Sequence, residues 1–156
     1  MSEPPYLLDV NVVLALMWNA HQHHFRVREW VANLSDSTPL GINRIIELGV
    51  IRLLTSPRVM GPDVLDSTHV YPMFDQLAQA LRISFVAEPG GLDRAMRTVT
   101  LRLQRGAIVD ADAYLVAFAE TAHIKLVTLD KGLVRFRSDA VLLLTEAGVS
   151  GEALPG

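Results

Sequence analysis

Tyr6-Leu7-Leu8-Asp9-Val10 is an apolar run of strand length with one carboxylate near its end. A continuous apolar run is typical of a parallel strand covered on both faces, whereas half-exposed strands alternate apolar and polar residues. The same form returns far along the chain in Leu126-Val127-Thr128-Leu129-Asp130, again closed by an acid. Between the two, helical periodicity alternates with short strand-like runs. Residues 12–18, 22–35, 43–55, 66–82, 92–104 and 111–123 read as helices, and 131–136 as one short helical turn. Residues 6–10, 83–87, 125–128 and 141–144 read as strands, and 38–42 as a short strand or loop. That alternation predicts an α/β domain with a central, mainly parallel sheet. Ligands of such sheets collect at the carboxyl ends of the strands, which is where Asp9 and Asp130 fall.

Two further acids stand among apolar neighbours. Glu47 lies in Arg44-Ile45-Ile46-Glu47-Leu48-Gly49-Val50-Ile51, and Asp112 opens Asp112-Ala113-Tyr114-Leu115-Val116-Ala117-Phe118-Ala119. In a helix over 43–55, Glu47 shares a face with Val50, Ile51 and Leu54, and in the helix over 111–123, Asp112 shares one with Leu115, Val116 and Ala119. A buried, unpaired carboxylate is costly, so buried charges are paired or bind metal. Four such acids with few cations among them point to a divalent metal site. Carboxylate oxygens suit Mg²⁺ and Mn²⁺, and such ions activate water against a phosphodiester without a Ser, Cys or His nucleophile. Each acid also has an ordinary structural reading. Glu47 can reach from a helix edge to solvent, Arg44 or Arg52. Asp112 can be a helix N-terminal acid, although Asp110 is the better cap candidate. Asp9 and Asp130 can be turn residues capping the next helix. The agreement of four positions on one edge favours the metal site.

Composition bounds the rest. At 156 residues the chain is expected to form one domain over 1–145 with a frayed tail over 146–156, and 50% hydrophobic residues suffice for a core. With no cysteine, thiolate chemistry and disulfides are excluded. The start lacks a basic segment followed by a long apolar run, so the expectation is a cytoplasmic protein. A formal charge of −3 is no nucleic-acid signature, yet it does not exclude an RNA substrate, because bound cations invert the local field. His21, His23 and His24 lack an obvious fourth ligand and read as a solvated cluster rather than a zinc site. No phosphate-loop or nucleophile-elbow pattern is present. Lys131, Arg135 and Arg137 closely follow Asp130 and, like Arg44 and Arg52 beside Glu47, are candidate RNA-phosphate contacts or solvated charges.

The blocks around Asp9, Glu47, Asp112 and Asp130, in that order, resemble the acidic blocks of PIN-domain proteins over residues 6 to about 144, and within them the VapC-type toxins of bacterial toxin–antitoxin pairs. The resemblance implies an α/β/α fold, a Mg²⁺- or Mn²⁺-dependent endoribonuclease, a homodimer and a cognate antitoxin. It makes Asp9, Glu47, Asp112 and Asp130 the catalytic and metal-binding quartet, with Asn11 and Thr128 as polar supports. Cleavage would leave a 5′-phosphate and a 3′-hydroxyl. The alternatives are a PIN nuclease of RNA processing or structured DNA without an antitoxin, and a receiver-like signalling domain, for which the paired acids after the first strand are missing. Val12, Val13, Leu16, Met17, Trp18 and Phe25 would offer a partner apolar anchors, unless they pack into the core.

Overall fold

The computed structural model describes residues 4–145 and the backbone of 148–150. Its sheet has six strands among the described residues, in the order β3-β2-β1-β4-β5-β6. They are β1 (Tyr6–Leu8), β2 (Leu40–Ile42), β3 (Ile83–Phe85), β4 (Lys125–Thr128), β5 (Val141–Thr145) and β6 (Gly148–Ser150). The first five run parallel and β6 is antiparallel to β5. Successive residues of a strand face opposite sides of a sheet. Leu7 with Leu8 and Leu126 with Val127 are all fully buried, so both faces of the central strands are covered. This is the three-layer α/β/α arrangement.

The helices are α1 (Val10–Met17), α2 (His24–Ala32), α3 (Arg44–Leu54), α4 (Pro57–Met60), α5 (Ser67–Leu81), α6 (Leu92–Thr100) and α7 (Ala111–Ala122). One group joins α1 to α2, α3 and α5, and another joins α6 to α7. α1 and α3 approach closely because residue 49 has no side chain: a Cβ on Gly49 would lie 2.8 Å from a methyl of Val10. Short 3₁₀ segments span Gly61–Asp63 and Lys131–Phe136.

Several boundaries differ from the sequence expectation. The first strand stops at Leu8 because the Asp9 carboxylate accepts from the Val10 amide and starts α1 two residues early. The helix expected over 22–35 is only nine residues long, and the one expected over 92–104 ends at Thr100. The pair α4 and Gly61–Asp63 forms where Pro57 and Pro62 each open a turn, a stretch the periodicity does not mark. The sheet continues past 145 into β6, so Gly148–Ser150 is paired where a frayed tail was expected. The other residues of that tail, 146–147 and 151–156, lie outside the described residues.

Two further expectations are corrected. Val12, Val13 and Leu16 are core residues and cannot anchor a partner, whereas Phe25 is 84% exposed. Met17 and Trp18 are partly buried, and the Trp18 indole donates to Asp63 at 2.9 Å. The histidine cluster is not uniformly solvated. His24 is buried with its ring nitrogen 2.6 Å from the Ala15 carbonyl, and His21 accepts from the His23 amide.

Candidate active site

The chain leaves β1 toward β2 and β3 on one side and returns through β4 and β5 on the other. The strand order therefore reverses between β1 and β4. Open α/β sheets form their crevice at such a switch point, outside the carboxyl ends of the strands. Asp9 follows β1 directly and Asp130 lies two residues after β4.

Asp9 is held from several directions. Its Oδ1 accepts from the Val10 amide at 2.8 Å, its Oδ2 accepts from the Thr128 hydroxyl at 2.7 Å, and its backbone amide donates to the Val127 carbonyl. The same Thr128 oxygen accepts from the Asp130 amide at 3.0 Å, so one fully buried hydroxyl joins both strand ends. Asn11 completes this corner by accepting from the Leu129 amide at 3.2 Å. Asp9 is only 5% exposed. Burial is the main cause that raises its carboxyl from the ordinary 3.8 to about 6; the Thr128 and Val10 bonds oppose this, and the negative charges of Asp112 and Asp130 add to it. Those two acids are thus within electrostatic reach of Asp9.

Glu47 sits in the first turn of α3, on the buried stripe with Ile46, Val50 and Leu54. The exposed Arg44 guanidinium pairs with its carboxylate and also lies 4.4 Å from the centre of the Phe85 ring. Asp112 occupies the first turn of α7, while Asp110 is the helix cap and accepts from the Asp112 amide at 3.0 Å. Burial, first, and the nearby Asp110 and Asp130 raise the Asp112 carboxyl, and the Arg135 guanidinium opposes them. Arg135 lies 3.2 Å from Asp112 and 3.5 Å from Asp110. Asp130 is exposed and accepts from the Gly132 amide at 2.8 Å, which starts the Lys131–Phe136 turn.

The donors match a hard divalent cation in chemical kind: they are carboxylate oxygens, and the Asp9 and Glu47 carboxylates are nearly sealed from water. As the side chains stand, no three ligating groups converge tightly enough to chelate an ion among the described residues. Arg44 pairs with Glu47, and Arg135 pairs with Asp112. Arg52 and Lys131 are exposed.

Sequence reasoning missed Asn43. It follows β2 as Asp9 follows β1, is 4% exposed, and its side-chain oxygen caps α3 through the Ile46 amide at 3.1 Å. Its amide nitrogen is buried without a hydrogen-bond partner among the described residues. The available signal was an Asn placed just before a helix, three residues ahead of Ile46.

The model of the PIN domain matches residues 6–138, and the chain belongs to the PIN-domain family. It is 30% identical over 144 residues to Ribonuclease VapC41 of Mycobacterium tuberculosis, covering 90% of this chain and 99% of that protein. It is 32% identical over 131 residues to Ribonuclease VapC38 of the same organism, with 81% and 86% covered. Among solved structures it resembles VapBC2 from Rickettsia felis bound to a promoter DNA fragment, with a TM-score of 0.60 at 15% identity, covering 84% of this chain and 92% of that one. It also resembles FitAcB from Neisseria gonorrhoeae, with a TM-score of 0.53 at 21% identity and 87% and 95% covered. These low identities speak for the fold. Family membership removes the receiver-like alternative.

Proposed function

We propose that the chain is a Mg²⁺- or Mn²⁺-dependent endoribonuclease and the toxin of a bacterial toxin–antitoxin pair. The observation that carries the site assignment is the burial of two carboxylates, Asp9 directly after β1 and Glu47 in the first turn of the helix that follows the neighbouring β2. Curated relatives at 30% and 32% identity are named ribonucleases, and the similar solved structures include VapBC2 and FitAcB, which supports the toxin reading.

Asp9, Glu47 and Asp112 would hold the ion, with Asp130 completing the site directly or through water. A divalent ion there supplies Lewis acidity for water activation and for charge developing on the phosphodiester. The chain's own residues prepare that chemistry. Thr128 donates to the Asp9 carboxylate and joins it to the backbone that carries Asp130. Asn11 accepts from the Leu129 amide and so ties the loop after β4 to α1. Arg44, Arg52, Lys131 and Arg135 are the cations available for RNA phosphate. The protein would act in the cytoplasm as a homodimer, silenced by a cognate antitoxin.

The test is purified protein incubated with total RNA, with and without Mg²⁺ or Mn²⁺, and cleavage ends mapped. Metal-dependent cuts bearing 5′-phosphate and 3′-hydroxyl ends are expected. Growth arrest on expression, relieved by the product of a small adjacent gene, tests the toxin assignment. Harmless expression of an active nuclease would favour RNA processing instead.

A further inference from the structure

Arg135 is tied down more firmly than a phosphate-seeking surface arginine needs to be. Its Nη2 reaches Asp112 at 3.2 Å and Asp110 at 3.5 Å. Its Nη1 donates to the Gly132 carbonyl at 2.8 Å. Its guanidinium carbon lies 4.5 Å from the centre of the Phe136 ring, which is fully buried. The side chain is 34% exposed. Arg135 stands on the turn that Asp130 caps, so six residues deliver an acid and a cation to the same cleft.

We infer that Arg135 is a built-in counter-ion, displaced from Asp112 by the divalent cation, and that the released guanidinium then takes a substrate phosphate. This rests on the metal-dependent reading above. The Asp112 Oδ2 that meets Arg135 is one of only two oxygens that carboxylate can offer a metal. A doubly charged ion shared among several carboxylates outcompetes a singly charged, partly hydrated guanidinium for that atom. The freed guanidinium keeps its planar fork of donors, which matches phosphate geometry. Its contacts with Gly132 and Phe136 keep it at the cleft. The arrangement links two binding events: whatever factor the ion adds to phosphate affinity, phosphate adds to ion affinity. An arginine that simply propped Asp112 in place would give the opposite sign, because its loss would weaken the ion.

Equilibrium binding of Mn²⁺, read from the free-ion electron paramagnetic resonance signal, separates these cases. Wild type, Arg135→Gln and Arg135→Lys are compared with and without a 5′-phosphorylated trinucleotide, and thermal melting of each reports folding. Without nucleotide, Arg135→Gln should bind Mn²⁺ tighter by up to roughly fivefold, the size expected for removing one partly exposed cation. Arg135→Lys, which keeps the charge, should stay close to wild type. The trinucleotide should tighten Mn²⁺ in wild type and leave Arg135→Gln unmoved. Unchanged or weaker Mn²⁺ binding by folded Arg135→Gln overturns the counter-ion role. Nucleotide tightening that survives in Arg135→Gln overturns the hand-over to phosphate. A wild type that binds no Mn²⁺ removes the metal-dependent reading itself and this inference with it.

Discussion

Two corners of the site meet the same electrostatic problem by different means. At the β1–β4 corner, Asp9 is sealed from water and its oxygens are met by neutral donors, the Thr128 hydroxyl and the Val10 amide. Among the described residues no cation accompanies it there, and its carboxyl rises to about 6. At the other corner, Asp112 is more open and Arg135 answers its charge directly. Hydrogen bonds orient a carboxylate without cancelling its charge. An ion pair does cancel it, and must be broken before that charge can serve another cation. The first corner is pre-organised and carries an electrostatic cost, and the second is neutralised and adjustable.

The largest expected effect is at the first corner. Asp9→Asn keeps the shape and the helix cap but removes a charged ligand. Cleavage should fall by more than about a hundredfold, since changes one step removed from a metal already cost about 10–100-fold. Wild-type rates from the folded variant would end the assignment. The same substitution should stabilise the protein in the absence of divalent ions. The folded pKa of Asp9 lies above its ordinary 3.8, so the ionised carboxylate opposes folding: the cost is absent below about 3.8, grows as pH rises, and is complete above about 6. It amounts to at most about 3 kcal/mol on that interval. Melting temperature of metal-free wild type should therefore drop from pH 4 to pH 7 relative to Asp9→Asn. Parallel curves for the two proteins would show that Asp9 is not paying a burial penalty.

Next comes Thr128→Val, which preserves shape and deletes the hydroxyl. Asp9 loses a donor and the Asp130 amide loses its acceptor. Stability should fall by about 1–3 kcal/mol, the range for stranding buried polar groups. Activity should fall by about 10–100-fold through misplacement of Asp9. Because Thr128 lowers the Asp9 carboxyl, the acid limb of the pH–rate profile should move upward. An unmoved acid limb with lost activity would assign Thr128 a different role. Asn43→Ala should be milder, costing about 1 kcal/mol through the lost helix cap. If cleavage falls much further than stability, measured by denaturant titration, the unpartnered amide of Asn43 has work to do at the cleft.

The contrast between the corners also separates what the sequence could tell from what it could not. Asp9 and Asp130 were legible because an acid closing an apolar strand marks a strand end, and parallel sheets use those ends. Asp110 was legible as a cap because Asn and Asp favour that position whatever surrounds them. The succession of strands along the chain through β5 was legible from apolar runs and their spacing, with 38–42 open between strand and loop, whereas their order in the sheet was not. The hold of Arg135 on Asp112 was not legible, because the two lie 23 residues apart and meet only through tertiary packing. The Thr128 link to Asp9 spans 119 residues and was not legible either; the resemblance gave Thr128 only as a polar support beside the acids. His24 went wrong because a polar neighbourhood in sequence hides a single buried ring, and β6 because three residues of Gly, Val and Ser carry almost no strand signal.

The smallest effect is expected two residues from one of the largest. Asp112→Asn should abolish cleavage, whereas Asp110→Asn should leave it within a few-fold. Asp110 caps α7 by accepting from the Asp112 amide, and Asn performs that task nearly as well. Asp110→Ala, which cannot cap, should cost about 1 kcal/mol in denaturant titration while cleavage again stays near wild type. Asp110 also touches Arg135, but at 3.5 Å and across a half-exposed gap, so screening leaves little to lose. Asp112 differs in kind: its carboxylate is more buried, lies at 3.2 Å from the guanidinium, and adds its charge to that felt by Asp9. Measured side by side, the pair divides helix initiation from ion binding within one turn of chain. Loss of cleavage in Asp110→Asn with activity kept in Asp112→Asn would exchange their roles, and would move the adjustable corner of the site from the first turn of α7 to its cap.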